Sequence, residues 1–140
     1  MNSDFNSSIF ISKVNNMMKL IYNYISLNKL DEVIQFMSDD LYNRFKENID
    51  NNTNNNCRVI YDEVNVNSEI KNITNMNDYI MIDVRCNIKF LKYYVSLEDG
   101  SYISGDKDNR INKVLNVTLK RKSNVKDTNT FDLSNENKTV

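Results

Sequence analysis

The 140-residue sequence contains no histidine, no tryptophan and no proline, and it has only two glycines and two cysteines. Without histidine, a metal site would need carboxylates alone or the two thiols, Cys57 and Cys86. Two cysteines are too few for a disulfide framework or a zinc-binding set of thiols. We therefore expect two unpaired thiols, no metal and no cofactor.

Long apolar runs and a strong net charge are also missing. No segment approaches the roughly 18 consecutive apolar residues of a membrane span. The first eight residues, MNSDFNSS, lack the basic start of a signal peptide. The formal net charge is −1, which gives no reason to expect nucleic-acid binding. These features are typical of a cytoplasmic protein, with an association at the membrane left open.

The first third of the chain has helical periodicity. Apolar residues recur at steps of three and four between Ile9 and Ile25, so they share one helix face. Ser7 or Ser8 is the expected N-cap, and Asn28 suits the left-handed conformation that ends helices. A short second helix is predicted from four apolar positions: Leu30, Val33, Ile34 and Met37.

The stretch FMSDDLYNRFKENID places two carboxylates beside a tyrosine and an arginine, as an acid–base site would. However, Ser38 is a good N-cap, and acidic residues directly after it lie where free N–H groups of a helix favour negative charge. Leu41, Phe45 and Ile49 then form an apolar stripe at intervals of four. We interpret the stretch as a capped amphipathic helix, which ends in a polar loop at residues 51–56.

The second half of the chain alternates as β-strands do. In a strand over residues 58–70, Val59 and Tyr61 share one face and Val64 and Val66 the other, which predicts a bulge near residues 62–63. A long half-buried strand follows, with one apolar face: Ile80, Ile82, Val84, Cys86, Ile88 and Phe90. A hairpin at Gly100, a short strand over residues 101–105 and a last strand over about residues 110–121 complete the pattern.

These elements predict an α+β domain over residues 9–122. Residues 1–8 are expected to be a flexible N-terminus. Residues 123–140 are polar and aperiodic, so we expect a disordered tail there.

Three stretches resemble one known family. SDDLYNRFKENID resembles the helix entry of the C-terminal domain of mitochondrial inner-membrane translocase subunit forty-four, and YDEVNVNSEIKNI resembles its next strand. EDGSYISGDKDNRINKVLNVTLKRK is similar to its D-G-x-x-x-x-G hairpin and basic-ended strand. The resemblance covers about residues 10–122 and looks closest to small bacterial members.

This family belongs to the nuclear-transport-factor-two-like superfamily. The resemblance therefore implies a cone-shaped fold in which three N-terminal helices pack on a curved antiparallel sheet of about four strands. Bacterial relatives often carry a membrane segment or a cysteine-rich zinc ribbon, and the mitochondrial protein has a long N-terminal region for partners. The chain shows none of these, so we do not expect the motor-tethering role.

The interior of such a cone is one candidate site, because some cone-shaped relatives are isomerases or dehydratases with an Asp or a His–Asp pair inside. Asp83 and Arg85 are the nearest candidates here, and a buried Asp83 could act as a general base. We favour the alternative that both residues are solvated or paired with each other across the pleat, because the chain has no histidine and Asp83 has no obvious catalytic companion. Tyr93, Tyr94 and Tyr102 add aromatic surface for a ligand, or they simply fill the core.

A second candidate is the basic group Arg110, Lys120, Arg121 and Lys122, which could contact anionic lipid or a partner. We therefore expect a non-enzymatic protein-interaction module and peripheral partner of membrane proteins. It would have an unidentified protein partner, a weak anionic-lipid contact, no nucleic acid, and a homodimer through the sheet as a further option. The alternative is a small-molecule-binding protein or enzyme that uses the interior of the cone.

Overall fold

Helix α1, Ser7–Ser26, begins the computed structural model, which describes residues 6–122 and 132–139. Its N-cap is Asn6, whose side-chain oxygen accepts a hydrogen bond from the Ile9 N–H at 3.1 Å. The prediction of Ser7 or Ser8 as the N-cap is wrong, since both residues lie inside the helix. Because the helix begins at Ser7, the flexible N-terminus predicted over residues 1–8 is too long. Residues 1–5 of that predicted terminus lie outside the described residues.

A 3-10 helix, Leu30–Phe36, follows α1 where the second helix was predicted. Asn28 ends the first helix with a φ of 58°, which confirms its predicted left-handed conformation. Leu30 and Val33 are buried, whereas Ile34 is 44% exposed. The apolar pattern therefore predicted where this helix lies. A 3-10 helix has fewer residues per turn than an α-helix, so only some of the apolar side chains face the core.

Helix α2 spans Asp39–Asn54 and confirms the structural interpretation of the acidic stretch. The Ser38 hydroxyl accepts a hydrogen bond from the Leu41 N–H at 3.3 Å. Leu41 is buried, and Phe45 and Ile49 pack against the core. The helix continues to Asn54, so the loop predicted over residues 51–56 begins too early.

We expect replacement of Ser38 by Ala to lower the free energy of unfolding by about 0.5–2 kcal/mol, because an N–H at the start of α2 loses its partner. Chemical denaturation followed by circular dichroism measures this change. Ser12→Ala is the matched control, since Ser12 is exposed within α1 and Ala has the higher helix propensity. Equal stability changes for the two variants would contradict a capping role for Ser38.

Four antiparallel strands follow the helices: β1 (Cys57–Asn75), β2 (Tyr79–Ser96), β3 (Tyr102–Lys122) and β4 (Asp132–Thr139). They lie in one sheet in the order β1-β2-β3-β4. The predicted α+β class is confirmed. The cone-shaped superfamily fold stays a prediction.

Two strand predictions are wrong. The short strand over residues 101–105 and the last strand over residues 110–121 are parts of one continuous strand, β3. The tail predicted to be disordered contains β4, which pairs with β3 through backbone groups and needs no apolar pattern to do so. The rest of that tail, residues 123–131 and 140, lies outside the described residues.

The predicted bulge in β1 is confirmed by a register shift between Asp62 and Asn65, where Glu63 has a φ of 50°. The extra residue changes the alternation, so Val64 and Val66 are buried in the same core as Val59. The structure therefore corrects their assignment to opposite faces.

The predicted apolar face of β2 is confirmed. The side chains of Ile82, Val84, Cys86, Ile88 and Phe90 are at most 1% exposed, and Ile80 packs against the same core. Helix α1 lies against β1, and its buried side chains join those of the first three strands in this core. One face of the sheet therefore carries the helices, and the other bears the odd-numbered residues of β2.

Candidate functional site

A cavity of about 350 Å³ lies between the two α-helices and the core-facing side of the sheet. Its innermost lining residues are the buried Tyr22 and Ile25 of α1 and Val59 of β1. Phe45 and Ile49 of α2 form the facing wall. This volume is near the lower end of the range for small-molecule sites, and the lining mixes apolar side chains with asparagines and lysines.

Aromatic rings contact one another at the base of the cavity. The Tyr61 ring meets Tyr22 at a centroid distance of 4.9 Å and Phe90 at 5.0 Å, in each case edge to face. Ser26, at the end of α1, accepts a hydrogen bond from the Tyr61 N–H at 2.7 Å and donates one to the Tyr22 carbonyl at 3.0 Å. These bonds join the end of α1 to β1 at the base of the cavity.

Two lysines, Lys92 and Lys113, are among the residues that line the cavity. The ammonium nitrogen of Lys92 lies 5.8 Å from the Tyr61 ring centroid and 5.9 Å from that of Tyr94. The Lys113 nitrogen lies 5.8 Å from the Phe90 centroid. Among the side chains that the structure describes, no carboxylate lines this cavity, whereas the side-chain amides of Asn48, Asn51 and Asn52 do. The cavity therefore combines aromatic surface with positive charge.

Of the five residues predicted to bind a ligand, only Tyr94 lines the cavity. Asp83 and Arg85 alternate with the buried residues of β2, so they lie on the face of the sheet away from the helices. The Thr118 hydroxyl donates a hydrogen bond to Asp83 at 2.8 Å. The register places Glu69 across from Arg85. The structure thus places this pair outside the cavity and beside other polar residues.

The remaining two predicted residues, Tyr93 and Tyr102, lie together on adjacent strands, with ring centroids 6.5 Å apart. The Lys107 ammonium lies 5.3 Å and 5.4 Å from these two centroids. Burial, and next the charge of Asp62, raise the pKa of Tyr93. Tyr93 therefore stays protonated near neutral pH. Neither Tyr93 nor Tyr102 lines the cavity, so the five predicted ligand-binding residues do not form one site.

The sequence interpretation missed Lys92 and Lys113. A signal for Lys92 was available, because the even-numbered residues of β2 that face the core continue beyond Phe90 to Lys92 and Tyr94. For Lys113 there was no such signal. It reaches the cavity because β3 pairs with β2, and that register was not predicted.

The predicted basic group is divided by the structure. Arg121 is only 5% exposed, because it continues the buried face of Leu115, Val117 and Leu119. The prediction that Arg121 belongs to an exposed basic group is therefore wrong. Arg110 forms an ion pair with Glu63, with 3.2 Å between nitrogen and oxygen. Only Lys120 and Lys122 remain as exposed neighbours on one side of β3.

These two lysines join two residues of β2 in what we call the basic end patch: Tyr79, Met81, Lys120 and Lys122. In the register of the strands, Lys122 lies across from Tyr79 and Lys120 across from Met81. The Lys120 ammonium is 4.8 Å from the Tyr79 ring centroid. The patch therefore combines partly exposed apolar side chains with two exposed positive charges.

Comparison with known families decides what kind of domain this is. The family model described as Tim44-like domain matches residues 1–136. The chain belongs to this family. The resemblance seen in the sequence is thereby confirmed, and the match continues beyond residue 122 into β4 of the Tim44-like domain. A search of curated proteins finds no match.

The stretches that carried the resemblance form connected parts of the Tim44-like domain. The acidic stretch is the first part of α2, and the D-G-x-x-x-x-G motif runs from Asp99 in the hairpin to Gly105 in β3. In the residues that the structure describes, neither α-helix is long and apolar enough to cross a membrane. The same described ranges contain no cluster of three metal-binding side chains.

Proposed function

We propose that this Tim44-like domain is a non-enzymatic protein-interaction module that acts as a peripheral partner of membrane proteins. Membership of the family supports this role. The observation that carries it is the basic end patch, where Tyr79 and Met81 lie beside Lys120 and Lys122 at one end of the sheet. Tyrosine is among the residues that most often anchor interfaces, and its amphipathic ring suits a surface that is partly wet.

The patch would contribute a weak, salt-dependent attraction to an anionic membrane surface. Each exposed lysine near such a surface is worth about 1 kcal/mol. Two lysines therefore orient the domain at a membrane, while a protein partner supplies most of the affinity.

Liposome co-sedimentation at low and high ionic strength tests the lipid part of the proposal. We expect the domain to bind vesicles that contain phosphatidylserine, to release them in about 0.5 M salt, and to ignore neutral vesicles, because exposed charges are screened over about 8–10 Å at physiological salt and over less at 0.5 M. The double variant Lys120→Gln and Lys122→Gln should lose the binding. Arg121 is left unchanged because it is buried.

The control is the double variant Lys19→Gln and Lys29→Gln, which removes the same charge from exposed positions on the helical side. It should bind vesicles as the unchanged domain does. Loss of binding in this control alone would place the lipid contact elsewhere. No binding at any salt concentration would leave a protein partner without a lipid contribution.

The proposal also covers the shape of the fold, the location of the protein and the contact of a homodimer. The helices and sheet would form the cone of the nuclear-transport-factor-two-like superfamily, the protein would act in the cytoplasm at the membrane surface, and any homodimer would form through the outer face of the sheet. Analytical ultracentrifugation tests the last statement. A dimer that persists when Asp83 and Arg85 on this face are replaced by residues of opposite charge would place the contact elsewhere.

A further inference from the structure

We infer that β4 is a replaceable strand, and that an extended segment of a membrane-protein partner, with apolar residues at alternate positions, binds along β3 in its place. This inference rests on the proposed function, because it names the surface that the interaction module uses and the kind of partner that fits it. The mode of binding is β-strand addition, in which main-chain hydrogen bonds supply affinity and alternate side chains supply specificity.

The strand β3 has a buried apolar row where β4 pairs with it. Leu115, Val117 and Leu119 are at most 1% exposed and belong to the core. All three lie within residues 114–120, the part of β3 that pairs with β4. Side chains that lie across from each other on neighbouring strands stabilise a sheet when they suit each other. This row therefore favours a strand with apolar residues at the three positions across from it.

The sequence of β4 matches this row poorly. The strand reads DLSNENKT, and its single apolar residue is Leu133. In the backbone register, Leu133 lies across from Leu119, Glu136 across from Val117 and Lys138 across from Leu115. Only one of the three positions across from the row is thus taken by an apolar type of residue. A partner segment with apolar residues at all three positions would match β3 better.

The strand β4 is also the part of the sheet that opens most easily. Elements with few apolar residues open locally at a lower free energy than core strands do. β4 is the last strand in the order of the sheet, and its pairing with β3 covers a much shorter segment than the pairing of β3 with β2. The register of this short pairing is further interrupted between Thr118 and Leu119. We therefore expect β4 to leave β3 without unfolding of the domain.

One feature holds β4 in place, namely that it lies against α2 and the 3-10 helix. A partner strand in the same position along β3 would lie against the same two helices. Their contact therefore does not favour β4 over a segment that matches the apolar row better.

The position of this edge connects it to the proposed function. Lys120, at one end of the pairing with β4, belongs to the basic end patch. A segment bound along residues 114–120 would therefore end beside the part of the domain that we propose to lie at the membrane. This position suits an extended segment of a membrane protein close to the membrane surface. The competing occupant is the β4 of a second copy of the chain.

Native-state hydrogen exchange of the full chain, followed by NMR, tests whether β4 opens on its own. We expect the paired amides of β4 to exchange at least about 100-fold faster than the paired amides of β2, because local opening costs less than global unfolding. Equal protection of the two strands would overturn the inference, since β4 would then leave β3 only when the whole domain unfolds.

A peptide titration of the ¹⁵N-labelled full chain tests the occupant. The matched peptide has the eight residues of β4 with Glu136→Val and Lys138→Val, and the control peptide has the β4 sequence unchanged. The matched peptide should shift amide signals of residues 114–120 at a concentration on the order of 1 mM, because the attached β4 competes at an effective concentration of that order.

The control peptide should bind at least about tenfold more weakly, since it has fewer apolar groups to place against the row. Equal binding of the two peptides would contradict the role of the apolar row. No shift with the matched peptide at about 5 mM would sink the inference as well.

Two variants of the full chain change the competition in opposite directions. Glu136→Pro weakens β4, because proline cannot donate to the ladder, and it should tighten binding of the matched peptide about tenfold. The double variant Glu136→Val and Lys138→Val strengthens β4 and should weaken binding of the peptide at least about tenfold. Circular dichroism confirms that each variant is folded. The same affinity in both variants would place the peptide elsewhere on the domain and overturn the inference.

Analytical ultracentrifugation distinguishes the two occupants. A dimer that the unchanged domain forms and Glu136→Pro loses would show that the β4 of a second copy fills this edge, which contradicts a partner segment. Failure of these tests is distinguishable from failure of the proposed function. The peptide titration contains no lipid, and the vesicle assay depends on Lys120 and Lys122, which both variants retain.

Discussion

Gly105→Ala is expected to destabilise the domain by about 3 kcal/mol or more. Gly105 lies within β3, directly across from Tyr93 of β2, with a φ of 105° that L-residues rarely adopt. An added Cβ would come within 2.5 Å of the Tyr93 Cα and 2.7 Å of the Lys92 carbonyl oxygen. These are backbone atoms, so the strands would have to separate to relieve the contact.

The second glycine of the chain provides the control. Gly100 has a φ of 74° in the hairpin, and an added Cβ there would meet nothing within 4 Å. Gly100→Ala should therefore cost only the conformational penalty of a left-handed residue, about 1–2 kcal/mol. Urea denaturation of the unchanged domain and of the two glycine variants measures both changes in the free energy of unfolding. A similar loss of stability in the two variants would show that strand contact at Gly105 contributes nothing beyond its φ angle.

Ile82→Ala should lower the free energy of unfolding by about 2–5 kcal/mol, through lost apolar burial and a residual cavity. Ile82 is 1% exposed and lies on the β2 face that packs under the helices. The same urea denaturation measures the change. The slope of the transition should stay the same, since the surface exposed on unfolding hardly changes.

Ile103→Ala is the matched control, because it removes the same atoms from β3 where the side chain is 51% exposed. It should cost less than about 1 kcal/mol. Met81→Ala, on the outer face of β2 beside Ile82, should also cost much less than Ile82→Ala. Equal losses on the two faces of β2 would mean that a second layer, such as a dimer partner, covers the outer face.

Features that depend on neighbouring residues were predictable from the sequence, whereas features that depend on distant residues were not. The Ser38 cap and the left-handed Asn28 were predictable, since each involves groups only a few residues apart. The buried face of β2 was predictable because a strand with one packed face must alternate with a period of two. The bulge in β1 was inferred from the break in that alternation, although the resulting common face of Val59 and Val64 was not.

The continuity of β3 was not predictable in this way. The segment of residues 106–110, DKDNR, has the composition of a turn, and Asp106 does accept N–H bonds from Asp108 and Asn109 as in one. The strand continues beyond this irregularity because both its ends pair with β2. Strand β4 was missed because its pairing uses backbone groups, which leave no trace in side-chain pattern.

The sequence alone determined the α+β class, the family, the helix with its cap and the buried face of the long strand, because these depend on local hydrogen bonds and on short periods. Only the tertiary structure decided that Arg121 lies inside, that Asp83 faces away from the helices, and that Lys92 and Lys113 meet at one cavity. The described residues that line that cavity come from three strands and two helices. Their meeting depends on register and on the packing of α1 and α2, which join positions far apart in the chain.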